Sequence, residues 1–238
     1  MNMHKKVIFI ILATAFLTYI GCSSSGDEGT TLIPTPTFNW EAGVYTGTFT
    51  ETGSTASVDI VMLVTSDNRF ALAALDGSEY NIGTVSGSSL STTDGFVATL
   101  TAALSGTYSA PPSFTGTFSL TDAGLYNRTS STAKLEGTWT DFTIPAATGT
   151  PTFVIDAAGN FSLSTTTGCA GTGSFTPIDP SKNEYEFSML VSACPGLNGT
   201  FSGLAITDDA NTFTDNQIDI IAENPGAPAF IIWAPVKQ

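Results

Sequence analysis

From Phe38 onward the apolar residues return at every second position, and this period of two limits the fold more than any other feature of the chain. Successive side chains of a β-strand point to opposite faces, so such alternation marks strands with one face in a core and one in water. Phe114, Gly116, Phe118 and Leu120 share one face, with Thr115, Thr117, Ser119 and Thr121 on the other. Phe96, Ala98, Leu100, Ala102 and Leu104 alternate in the same way with Val97, Thr99, Thr101 and Ala103. Val58, Ile60, Met62 and Val64 do so opposite Asp59 and Thr65, but Val61 and Leu63 make that strand apolar on both faces. No stretch holds a helical period for more than a turn or two, so the expected class is all-β.

Strands are expected at 43–51, 57–65, 69–75, 79–86, 95–104 and 113–121 in the first half. In the second they are expected at 134–142, 151–156, 160–165, 169–176, 184–193, 198–206, 217–222 and 229–234. Compact turns such as Ser66-Asp67-Asn68 and Ala157-Ala158-Gly159 join several of them, which favours antiparallel up-and-down meanders closed as small barrels or sandwiches. The halves read as one unit used twice. Gly43-Val-Tyr-Thr-Gly-Thr-Phe49 answers Leu135-Glu-Gly-Thr-Trp139-Thr, and Asp67-Asn-Arg-Phe70 answers Ala158-Gly-Asn-Phe161. Gly116-Thr-Phe-Ser-Leu-Thr-Asp122 answers Gly199-Thr-Phe-Ser202 running on to Thr207-Asp208. The polar stretch Leu125 to Ala133 is the expected joint, giving a first β unit over 38–127 and a second, about eight-stranded, over 128–238.

The start of the chain is of another kind. Lys5 and Lys6 precede the apolar run Val7 to Ile20, which is short for a membrane span and ends at Gly21-Cys22, as a secretory signal over 1–21 would. Tyr19-Ile20-Gly21-Cys22 resembles the lipobox of bacterial lipoproteins, with Tyr19 where Leu is usual. The resemblance implies a diacylglycerol thioether and an N-acyl chain on Cys22. At about 0.8 kcal/mol per buried methylene, two or three chains make a lasting membrane anchor. Ser23 in place of Asp implies, in the Gram-negative sorting pattern of that family, the outer membrane. Residues 22–37, polar and ending in Pro-Thr-Pro-Thr, read as a flexible tether with a reach on the order of 20 Å.

Loss of the signal leaves five basic residues against all 21 acidic ones, a net charge of −16. Such a surface repels phosphates, so no nucleic-acid partner is expected. The one histidine, His4, lies in the signal, which excludes a Ser-His-Asp triad, a Cys-His pair and the usual zinc ligand sets from the rest of the chain. With Cys22 acylated, Cys169 and Cys194 remain as one pair in an oxidising compartment, where a disulfide is expected. The chain-entropy model assigns a loop of that size roughly 3 to 4 kcal/mol of stabilisation.

Asp208-Asp209-Ala210-Asn211 with Asp215 offers several carboxylates but lacks the glycine and terminal Glu of an EF-hand, and reads as a solvated turn. Glu184 and Glu186 sit opposite Tyr185 and Phe187, the pattern of solvent-facing charges. Nothing marks a catalytic carboxylate pair, so neither enzymatic activity, a metal nor a cofactor is expected, and a carbohydrate-active enzyme is the remote alternative.

Lys134-Leu-Glu-Gly-Thr-Trp139 resembles the Gly-x-Trp opening of lipocalins, which implies an eight-stranded barrel with Trp139 closing one end. Gly168-Cys169-Ala-Gly-Thr-Gly-Ser-Phe175, Asn183-Glu-Tyr-Glu-Phe187 and Cys194-Pro-Gly-Leu-Asn-Gly-Thr-Phe201 resemble the C-terminal half of a group of uncharacterised bacterial lipoproteins, an implication for fold and address without an activity. The leading expectation is a non-enzymatic outer-membrane lipoprotein acting through protein contacts in the envelope. The competing one is a lipocalin-like carrier of a small hydrophobic ligand, with its pocket lined by Trp139, Phe153, Phe161, Phe187, Phe201 and Phe230. A cavity of about 300 Å³ or more would mark the carrier, and dense side-chain filling the contact module.

Overall fold

In the first half the strands are β1 (Gly43–Glu51), β2 (Ser57–Val64), β3 (Arg69–Ala74), β4 (Tyr80–Ser86), β5 (Ser89–Ser91), β6 (Val97–Ala102), β7 (Ser105–Ala110) and β8 (Phe114–Asp122). The structure is a computed structural model that describes residues 37–140, 142, 150–194, 197–209, 215–226 and 229–238. The signal over 1–21, Cys22, the tether as far as residue 36, and Asn211 lie outside them. Each strand pairs antiparallel with the next, and β8 pairs back onto β1, so the first unit is a closed eight-stranded barrel. It has eight strands where six are expected from the sequence: β5 and β7 are the additions.

A helical turn, α1 (Thr132–Leu135), leads into the second unit. There β9 (Gly137–Thr140), β10 (Pro151–Ile155), β11 (Asn160–Thr165), β12 (Ala170–Pro177), β13 (Tyr185–Ser192), β14 (Gly199–Asp208) and β15 (Gln217–Asn224) form a second antiparallel meander. The eighth position is shared by β16 (Ala229–Trp233) and β17 (Val236–Lys237), with Ala234-Pro235 between them. Proline has no N–H for a ladder, and its carbonyl accepts instead from Ile218 N at 3.0 Å. β17 bridges β15 and β9, through Val236 opposite Gln217 and Lys237 opposite Trp139, and closes the barrel.

The two barrels share one strand order and matching registers in their pairing. Met62 faces Tyr45 as Phe153 faces Trp139, so Gly43-Val-Tyr45 and Gly137-Thr-Trp139 are the same Gly-x-aromatic opening. Phe70 faces Gly83 as Phe161 faces Gly173. A Cβ on Gly83 would stand 2.1 Å from Ser91 O, and one on Gly173 2.0 Å from Ser188 O, so both glycines let backbone and a phenyl ring close in on the same spot. The third sequence match does not hold. Phe118 is on the last strand of its barrel, where its counterpart is Trp233, and Phe201 is on the sixth strand of the other.

Val61 and Leu63 are apolar on the outer face because the second barrel covers it. Leu63, Ala71 and Ala73 of β2 and β3 pack with Leu204, Ile206 and Ile221 of β14 and β15, and with Val44 and Tyr126, in a core separate from the two barrel interiors. Residues 37–238 are thus one compact unit.

Candidate ligand-binding site

Among the described residues, the interior of the second barrel is packed with aromatic side chains. Trp139, Phe153, Phe161, Phe187 and Phe201 all point inward and are buried, as the pocket reading of the sequence requires. They meet one another rather than a void: Phe153 lies edge-on to Phe161 at 4.8 Å between ring centroids, and Phe161 stacks on Phe187 at 5.5 Å. Phe230 is a correction. It leaves the barrel and stacks on Tyr80 of the first barrel at 4.3 Å, because its position on β16 faces outward between the inward Ile231 and Ala229 neighbours.

Both ends of that barrel are covered. Trp139 donates its indole N–H to Leu135 O of α1 at 2.7 Å, and Lys237 lies over its ring at 5.5 Å while donating to Lys134 O. This is the closing role that the Gly-x-Trp resemblance implies, in a lipocalin-like barrel. At the other end Phe142 packs on Phe153 and Trp233, each at 5.1 Å, beside the bonded pair Cys169 and Cys194. Cys169 precedes β12 and Cys194 follows β13; Ala193, with φ +55, shifts the register so that the two Cα atoms stand 4.6 Å apart.

The first barrel differs at the corresponding end. Its strand β5 has three residues where its counterpart β13 has eight, so the wall is lower there. The result is a cavity of about 370 Å³, within the range of small-molecule sites. Its wall is apolar, from Phe49, Val58, Ile60, Leu72, Phe96 and Tyr108. Phe49 stacks on Tyr108 at 4.6 Å and lies parallel to Phe96 at 6.3 Å, so three rings line one side.

The mouth is formed by the β1–β2, β3–β4 and β7–β8 turns, and its polar groups are Glu51, Ser54, Ser78, Glu79 and Asn81. Phe114 stands at its lip 48 % exposed, which makes the rim partly greasy. Burial first, and then the charges of Glu51 and Glu79, push the Tyr108 phenol above its ordinary pKa. At the opposite end a second cavity, about 390 Å³, lies under Phe38, Trp40 and Leu104.

All five basic residues beyond the signal sit away from this mouth. Arg69 pairs with Asp67 and Glu186, Arg128 with Asp209 and Asp215, and Lys134 with Asp215. Lys182 donates to Asn127 Oδ1 and Lys237 covers Trp139. Asp209 and Asp215 are therefore paired with cations of the joint: Asp215 would be raised by burial, but hydrogen bonds from Lys134, Thr207 and Arg128 hold its carboxyl low. Among the described residues no three His, Cys, Asp or Glu side chains are grouped to hold a metal.

Glu184 is the other departure from the sequence reading. It is fully buried, not solvent-facing: it accepts from Ser66 N at 2.9 Å, from Ser66 Oγ and from Tyr126 Oη at 3.1 Å, tying the second barrel to the β2–β3 turn of the first. Glu186 is exposed, as expected. Set against known proteins, the chain matches no family model, no curated protein and no solved structure.

The cavity was not legible from alternation, which identifies inward residues without their joint volume. What sets the first barrel apart is the length of β5, three residues where β13 has eight, and so short a strand has no period to detect.

Proposed function

We propose that this protein is a non-enzymatic, lipid-anchored binding module of the bacterial outer membrane whose first barrel takes up one small, largely apolar ligand. The second barrel is its rigid support. The observation that carries this reading is the 370 Å³ cavity, apolar along its wall and open at one end, in a barrel whose partner is filled and stapled at the matching end. A protein using both barrels only as contact surfaces has no need for the difference. The anchor part of the proposal rests on the lipobox resemblance at Cys22 and is tested separately, by mass spectrometry of the native N-terminus with and without globomycin.

Ligand binding is tested with the neutral fluorophore N-phenyl-1-naphthylamine and the chain from Ser23 onward, exported so that Cys169 and Cys194 oxidise. Saturable enhancement at one site per chain is expected, and Ala110→Trp, which puts an indole into the mouth, removes it while circular dichroism stays unchanged. No saturable signal from the folded protein, or equal binding by the Ala110→Trp variant, would rule the cavity out as the site.

A further inference from the structure

We propose that the first barrel selects a ligand with a positively charged headgroup, an amine or other organic cation on a small apolar body, an inference that rests on the cavity being a binding site. The alternation that builds β1 puts Tyr45, Gly47, Phe49 and then Glu51 on its inward face, so the last inward residue before the mouth is a carboxylate. Glu79 reaches the same rim from just before β4, in phase with the inward Asn81. Among the described residues neither carboxylate has an ion-pair partner, and the five basic residues that could have supplied one are engaged at the far end and at the joint.

Three kinds of group at this mouth suit an ammonium. The two carboxylates attract it, and Ser54, Ser78 and Asn81 offer oxygens to its N–H donors. The rings of Phe49, Phe96 and Tyr108 add the favourable approach of a cation to an aromatic face. A fatty acid or another anionic amphiphile would place its charge against Glu51 and Glu79 with no cation in reach. An alcohol of the same length would gain the hydrogen bonds without the charge term. Two exposed charges flanking an apolar cavity are worth at most roughly tenfold in affinity at low salt.

The test is displacement of bound N-phenyl-1-naphthylamine by three matched probes, n-octylamine, 1-octanol and octanoate, at about pH 7.5, where the first and last are ionised. The amine is expected to displace at roughly tenfold lower concentration than the alcohol, and octanoate to be the weakest. The gap should close in about 1 M salt, where screening acts over about 3 Å. Glu51→Gln with Glu79→Gln, both on exposed residues, should bring the amine to the level of the alcohol and leave the alcohol unchanged. Asp156→Asn, an exposed change on the second barrel, should leave the amine preference intact.

If fluorophore and alcohol bind but the amine has no advantage, the charge selection is wrong and the cavity reading stands. An equal loss in Asp156→Asn would overturn it too, since the net charge of the chain would then be the cause. If none of the probes binds, the cavity reading itself fails.

Discussion

Gly83 and Gly173 hold the same place in the two barrels, each beneath a phenylalanine ring and within about 2 Å of a neighbouring carbonyl if a Cβ were added. Either change to Ala forces backbone apart, and we expect each to lower stability by about 2 to 3 kcal/mol in urea unfolding, with the ring unable to relax inside a closed sheet. The tryptophans make a second residue-scale test. Trp40 is buried against Phe118 but its indole N–H meets no acceptor among the described residues, whereas Trp139 spends its own on Leu135 O. Trp40→Phe should cost about 1 kcal/mol, a volume loss partly offset by removing an unsatisfied donor. Trp139→Phe loses volume, a hydrogen bond and the Lys237 contact, and should cost about 3 kcal/mol. Inward residues such as Phe153 and Phe187 were readable one by one from alternation. Glu184 and Phe230 were not, since the pattern says which residues share a face and is silent on what covers that face.

At the scale of elements, the long strands were legible and the short ones were not. β8 and β13 alternate over eight or nine residues, but β5 is Ser-Leu-Ser and β7 has Tyr108 as its one large apolar residue, so neither has a period to detect. Losing those two strands also misaligned the repeat, setting the last strand of the first barrel against the sixth of the second. The β12–β13 hairpin carries the disulfide across its open end. Cys169→Ser with Cys194→Ser should cost roughly 3 to 4 kcal/mol, from the loss of a constraint on the unfolded chain. Because the pair lies wholly in the second barrel, binding of N-phenyl-1-naphthylamine in the first should persist wherever the variant is folded. Loss of binding from a folded variant would show that the support and the cavity are coupled.

For the whole molecule, the decisive surface is the one between the barrels, and it contains an acid. Asp219 lies beside Val61, Leu63 and Ile221 and is bonded by Gln217 at 2.7 Å. Burial first, and then the charge of Asp208, push its carboxyl up to about 6. A pKa raised on folding means that the folded state favours the proton, so this contribution is complete below the ordinary carboxylate range, near pH 4, and is lost as pH rises through about 6. A shift of that size corresponds to about 2 to 3 kcal/mol. Asp219→Asn should match the parent protein near pH 4 and exceed its stability by about 2 kcal/mol above pH 7, read from urea midpoints across the range. Asp67, Asp209 and Asp215, whose hydrogen bonds to cations hold them low, act in the opposite sense and weaken the fold only on strong acidification.

The sequence by itself determined that the chain from Phe38 is all strand, built as two antiparallel meanders, and that Cys169 and Cys194 are free to pair. Those properties follow from side-chain period, turn residues and cysteine count, all of which are local or countable. Which barrel is hollow was decided only by the tertiary structure, because a void is the difference between enclosed volume and the side chains pointed into it. The burial of Glu184, the partial burial of Asp219 and what covers the second apolar face of β2 were settled there too: each depends on a second barrel lying against the first.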